Sequence, residues 1–106
     1  MVDLEISMSL PSGTVGLVFS RSSNAKKHIS LANDVGVIDS NYRGNIKIPL
    51  IYTPNIDMPV STTLEAGERV AQIVVIPILL TEFEGVDQLD PSSDARGDGG
   101  FGSSGA

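Results

Sequence analysis

Asp39 and Tyr42 are the residues best placed for chemistry: the aspartate ends the short apolar run Val35–Ile38, and the tyrosine follows three positions on, in a turn bounded by glycine. A tight turn there sets a carboxylate beside an aromatic face. Such a carboxylate can take a proton from water, a step worth roughly 10²- to 10⁴-fold in rate. An aspartate in a turn also commonly hydrogen-bonds the turn itself, so the residue types alone leave both uses open.

Arg21, Ser22 and Ser23 place a guanidinium fork next to two hydroxyls, which suits phosphate oxygens; a solvated loop has the same composition. Arg96, followed by Gly97, Gly99, Gly100, Phe101 and Gly102, forms a third candidate. Glycines let main-chain amides approach an anion and the ring can stack on a base, although a tail without fixed structure reads the same way. Arg96-Gly97-Asp98 also spells an adhesion tripeptide, but three residues recur by chance. His28 is the only histidine and there is no cysteine, which excludes disulfides, thiolate metal sites and a cysteine nucleophile, and leaves zinc without a second ligand. Lys26 and Lys27 read as a solvated pair. Gln72, between Ala71 and Ile73, needs a hydrogen-bond partner if buried, as a sheet or interface contact or as a site residue.

These candidates sit on 106 residues, 41% hydrophobic and 19% charged, the profile of one globular domain near the size at which a single core suffices. Help from a partner chain is therefore plausible. The net charge of -6 disfavours a nucleic acid polymer, whose backbone selects a basic face, while leaving a small anion possible at a few placed cations. The start has no basic segment of a secretory signal, and the longest apolar run, Ile73 to Leu80, contains Pro77 and is too short to span a bilayer. A soluble, cytoplasmic protein is expected.

Periodicity assigns the elements. Val2, Leu4, Ile6, Met8 and Leu10 alternate with polar residues, a half-buried strand; Pro11, Ser12 and Gly13 turn the chain; Thr14 to Phe19 reads as a second strand, the return arm of a hairpin. The stretch from Arg21 to Lys27 has room for one helical turn at most. Ile29 and Leu31 alternate with polar neighbours, and Val35–Ile38 with Ile46, Ile48 and Leu50 gives a second hairpin signature around Ser40, Asn41 and Gly44. Pro54 to Pro59 is a loop, and Glu65 to Glu68 a turn before Val70–Leu80, which is apolar on both parities and so expected to be buried between layers or at a subunit contact. No window sustains a period of 3.6, so the expected class is an all-β sandwich or barrel. The domain is expected over residues 1–93, with 94–106 a flexible glycine-rich arm.

Four segments then fall into one pattern. SRSSNA (Ser20–Ala25), NDVGVIDSNYRG (Asn33–Gly44), GERVAQ (Gly67–Gln72) and RGDGGFGSSG (Arg96–Gly105) resemble, in order and spacing, the second to fifth motifs of the trimeric dUTP diphosphatases. The resemblance implies a jelly-roll-like β fold, a homotrimer with sites shared between subunits, and hydrolysis of dUTP to dUMP and diphosphate. By it Asp39 activates the water that attacks the α-phosphate. Tyr42 packs where a 2′-hydroxyl would need room. The backbone of Gly36, Val37, Ile38, Asp39 and Lys47, with the Asn33 side chain, reads uracil, and a site matched to one base leaves its polar groups unpaired with another. Arg21, Ser22 and Ser23 bind phosphate in a neighbouring subunit's site, Gln72 lies near the phosphates, and Arg96, Phe101 and Gly102 close over the nucleotide. Mg2+ is held mainly by the triphosphate, with no protein ligand assigned.

Two departures accompany the match. Ser20 stands where the family usually has proline. The family's first motif, whose aspartate helps hold magnesium through water, precedes the part resembled here, so the expectation divides: a fragment of an enzyme, an enzyme completed by another chain, or a catalytically impaired trimer kept for nucleotide binding or regulation. The related dCTP deaminases share the fold without this Asp and Tyr arrangement.

Overall fold

The computed structural model describes residues 1–90 and Asp98. Seven strands and one short helix form three antiparallel sheets among these residues. The central sheet has the order β4-β2-β7, with β2 at Thr14–Ser20, β4 at Gly36–Asp39 and β7 at Ala71–Pro77. A second pairs β1 (Val2–Asp3) with β5 (Lys47–Ile48), and a third pairs β3 (Ile29–Leu31) with β6 (Leu50–Tyr52). Helix α1, Ser22–Lys26, links β2 to β3 and is the single turn its sequence allows.

The core lies where the three sheets meet. Val18 of β2, Leu31 of β3, Ile48 of β5 and Val70 form one buried cluster, against which Val2, Leu4, Ile38, Leu50, Leu64 and Ala71 pack. Each strand contributes alternate residues, the period-two arrangement that the sequence shows for Ile29/Leu31 and Ile46/Ile48. Pro49 has no N–H to continue the ladder, and there the chain leaves the second sheet for the third; its carbonyl accepts from Ala32 N–H at 2.7 Å.

Four expectations differ from the structure of one copy. The first alternating segment enters a ladder only at Val2–Asp3. Asp3 Oδ1 accepts from Glu5 N–H at 2.9 Å, and Glu5 adopts φ 58°, so the chain bulges at Glu5, between Leu4 and Ile6, which both bond to Ile46. The bulge leaves Ile6 exposed although its parity predicts burial. Nor is β2 the return arm of this strand: it pairs with β4 and β7.

The second expected hairpin also does not form. After the turn at Ser40–Gly44 the chain changes sheets, so β4 pairs with β2 while β5 pairs with β1. Finally, β7 is an edge strand whose apolar residues are not buried within the chain, and exposure runs from Ile76 at 36% to Phe83 at 101% beyond it. Within one copy this edge therefore leaves apolar residues uncovered on both faces.

No helix among the described residues is long and apolar enough to cross a membrane. The arm expected over 94–106 lies outside the described residues, apart from Asp98.

Candidate active site

The change of sheet between β4 and β5 opens a cleft of about 220 Å³ between them. Its walls include Asn33, Gly36, Val37, Ile38, Asp39, Tyr42 and Lys47, with Val18, Leu31, Ile46, Ile48 and Pro49 as the apolar base. Each expected base-reading residue therefore reaches one cavity, together with the candidate carboxylate and the tyrosine.

Local chemistry sets each wall. Asp34 takes the left-handed conformation, φ 64°, tolerated by a short polar side chain, and its N–H donates to Leu31 O at 3.2 Å. That bend, with Val35 N–H on Asn33 O at 2.7 Å, brings Asn33 to the cleft. Gly36 lies against β2: a Cβ there would stand 3.1 Å from Val18 Cβ. Because β4 is paired on one side only, alternate main-chain groups of Gly36–Asp39 point away from β2 and are free to meet a planar ligand edge.

The turn beyond β4 is held by main-chain and arginine contacts. Tyr42 N–H donates to Asp39 O at 3.1 Å, and Arg43 Nη1 donates to Ser40 O at 2.6 Å and Tyr42 O at 3.1 Å. The turn thus uses the Asp39 carbonyl, leaving its carboxylate exposed at the cleft. The Tyr42 hydroxyl donates to Asn45 O at 2.6 Å, fixing the ring across Gly44. Arg43 was not singled out by the sequence reading; it sits inside the matched motif, and only its two carbonyl contacts reveal its role as a clamp.

Arg21, Ser22, Ser23 and Gln72 lie elsewhere. Arg21 is the N-cap of α1 and directly follows β2, whereas Asp39 pairs with Val15 near the other end of that strand. The seven residues from Val15 to Arg21 are extended, and the six steps between them span about 20 Å. Gln72 is exposed, and its Nε2 donates to Ser20 O at 3.1 Å, so it joins the Arg21 group as a sheet contact. Arg21 Nε is buried and has no partner among the described residues. Within one copy the cleft residues and the Arg21 group therefore lie near opposite ends of β2. His28 takes φ 57° after α1, with Nδ1 3.0 Å from Thr53 O, a structural contact away from both. Arg96, Phe101 and Gly102 lie outside the described residues.

The comparisons with known proteins bear on this arrangement. The sequence profile described as dUTPase matches residues 1–105, nearly the whole chain. The chain belongs to the dUTPase family. It is 47% identical over 107 residues to the deoxyuridine 5′-triphosphate nucleotidohydrolase of Escherichia phage T5, covering 100% of this chain and 68% of that protein. The namesake from Cutibacterium acnes is 43% identical over 106 residues, covering 99% and 66%. The chain thus spans about two thirds of the length of these curated relatives. Among solved structures, the Staphylococcus bacteriophage 80alpha dUTPase with dUPNHPP matches with a TM-score of 0.73 at 29% identity, covering 99% of this chain and 79% of that one. The three small sheets accordingly form the jelly-roll-like β fold of dUTPases.

No group of three or more His, Asp or Glu among the described residues is close enough to hold an ion.

Proposed function

We propose that this chain is a dUTP diphosphatase that hydrolyses dUTP to dUMP and diphosphate in the cytoplasm, acting as a homotrimer. The observation that carries the proposal is the single cleft lined by Asn33, Gly36–Asp39, Tyr42 and Lys47, with an exposed carboxylate at its wall.

Uracil enters the cleft and its edge meets the free main-chain groups of β4, of Lys47 and the Asn33 amide. The apolar base formed by Val18, Leu31 and Ile48 supplies the non-directional part of binding. Tyr42 packs on the deoxyribose and rejects a 2′-hydroxyl by shape. The Asp39 carboxylate takes a proton from a water molecule as its oxygen bonds to the α-phosphorus. The bond from that phosphorus to the α,β-bridging oxygen breaks, and diphosphate departs with the electron pair. Geometry of this kind also lowers the barrier by holding water and phosphorus together.

The phosphates need cations beyond Lys47, the one basic side chain that lines the cleft. Arg21, Ser22 and Ser23 of a second copy supply them as a second half-site, a reading supported by the separation of about 20 Å along β2 within one copy. Gln72 belongs to the same half-site through Ser20. Arg96, Phe101 and Gly102 are assigned to phosphate and base on motif match alone, in an arm over 94–106 that follows the β domain. Mg2+, if carried in by the triphosphate, would offset charge on the leaving diphosphate, and no residue of this chain is assigned as its ligand.

Diphosphate release from dUTP with Mg2+ tests the activity directly. Mixing tests the shared site: Asp39→Asn and Arg21→Ala proteins are each inactive alone and regain part of the activity after co-refolding. Binding of dUPNHPP without turnover would instead favour a nucleotide-binding regulator, and absence of both sinks the proposal.

A further inference from the structure

We infer that Asn24, which lies outside both half-sites, is a positioning residue for the phosphate-binding segment Arg21–Ser23; the inference rests on the function proposed above. Asn24 is 2% exposed and is the buried polar residue of the described core. Its Nδ2 donates to Val70 O at 2.6 Å, a contact spanning 46 positions of sequence.

The place of that contact matters. The antiparallel pairing of β2 with β7 ends at Ser20 opposite Ala71, and the next pair in register is Arg21 opposite Val70. Arg21 does not continue the ladder, because its carbonyl accepts from Asn24 N–H at 3.0 Å and opens α1. The Asn24 side chain then bonds the Val70 carbonyl at the position where the ladder stops. One residue thus bonds Arg21 through its backbone and Val70, the residue just before β7, through its side chain.

Little else can fix Arg21. A helix of five residues has no stability of its own, and α1 has no side-chain cap at its N-terminus. Other ties hold its flanks: Gln72 Nε2 on Ser20 O before it, and the Lys27–Glu68 ion pair after it. Asn24 is the tie from within the helix, and it lies three residues from the guanidinium that must meet the phosphates. A leucine has nearly the same size but no donor, so it leaves the Val70 carbonyl without its partner and frees α1 to rotate.

The experiment compares wild type with Asn24→Leu for binding of deoxyuridine and of dUPNHPP by calorimetry, with KM and kcat for dUTP. Since the base cleft and the Arg21 segment are separate, the inference expects dUPNHPP to bind about tenfold more weakly, the scale of one lost buried hydrogen bond, while deoxyuridine binds as before. Unchanged dUPNHPP affinity in a folded variant, or equal loss for both ligands, overturns it. Should Asn24→Leu not fold, Asn24→Ser, which keeps a shorter donor, gives the same two affinities and is judged by the same split. Failure of wild type to bind either ligand rejects the functional reading instead.

Discussion

Gly44 lies beneath the phenol of Tyr42: a Cβ placed on Gly44 would stand 2.6 Å from the tyrosine hydroxyl and 2.9 Å from Cζ. No side chain fits there unless the ring moves, and the ring is tethered by its hydroxyl to Asn45 O. Gly44→Ala is therefore predicted to swing Tyr42 off its position at the cleft while sparing the strands. The expected readout is a lower ratio of kcat/KM for dUTP over UTP, by about tenfold or more for a lost steric contact. An unaltered ratio would show that Tyr42 does not discriminate the sugar.

Asp39 presents its side chain to the cleft while its carbonyl, not its carboxylate, accepts the turn's hydrogen bond from Tyr42 N–H. Asp39→Asn keeps the shape and the carbonyl bond. The variant is predicted to lose about 10²- to 10⁴-fold in kcat, the range for a general base, and to retain affinity for dUPNHPP. Equal loss of binding and rate would assign Asp39 to substrate binding instead.

The cleft was legible because its polar walls come from one segment, Asn33–Gly44, plus Lys47, so motif spacing alone collected them. The strands were legible wherever burial alternates on one face, as at Ile29–Leu31. Pairing was not, since a period of two states which face is buried but not which strand lies alongside. Val35–Ile38 and Ile46–Leu50 look like a hairpin for this reason, yet the intervening turn carries the chain to another sheet. The exposure of β7 has the same origin: an apolar run on both parities predicts cover on both faces, and a single chain supplies little. Asn24 and Arg43 escaped notice because a buried amide or a carbonyl clamp leaves no periodic trace.

Glu68 gives a dependence on pH. The Lys27 ammonium that it accepts from holds its carboxyl below the ordinary carboxylate range, and the Glu65 N–H bond at 3.0 Å acts in the same direction. A carboxyl lowered in the folded state contributes stability above its unfolded value, and that contribution disappears as pH falls through the folded value. Glu68→Gln should thus lower Tm at neutral pH and match wild type in acid below the carboxylate range. Added salt should shrink the neutral-pH difference, because the pair is exposed. Parallel Tm profiles for the two proteins across pH would remove the ion pair from the stability of α1.

Assembly is predicted to run through the edge strand β7. Val74 and Val75 remain 45% and 42% exposed in one copy although both sit mid-strand, and the two half-sites of the proposed enzyme need a second copy to meet. If copies cover this strand, a carboxylate introduced there is buried without a partner, which opposes association strongly. Val74→Asp is accordingly predicted to yield a smaller species in sedimentation and to abolish diphosphate release. Ile56→Asp, at a loop residue 98% exposed, serves as the comparison and should leave both unchanged. If Val74→Asp sediments like wild type, β7 is not the contact, and Arg21 must reach the cleft across another surface.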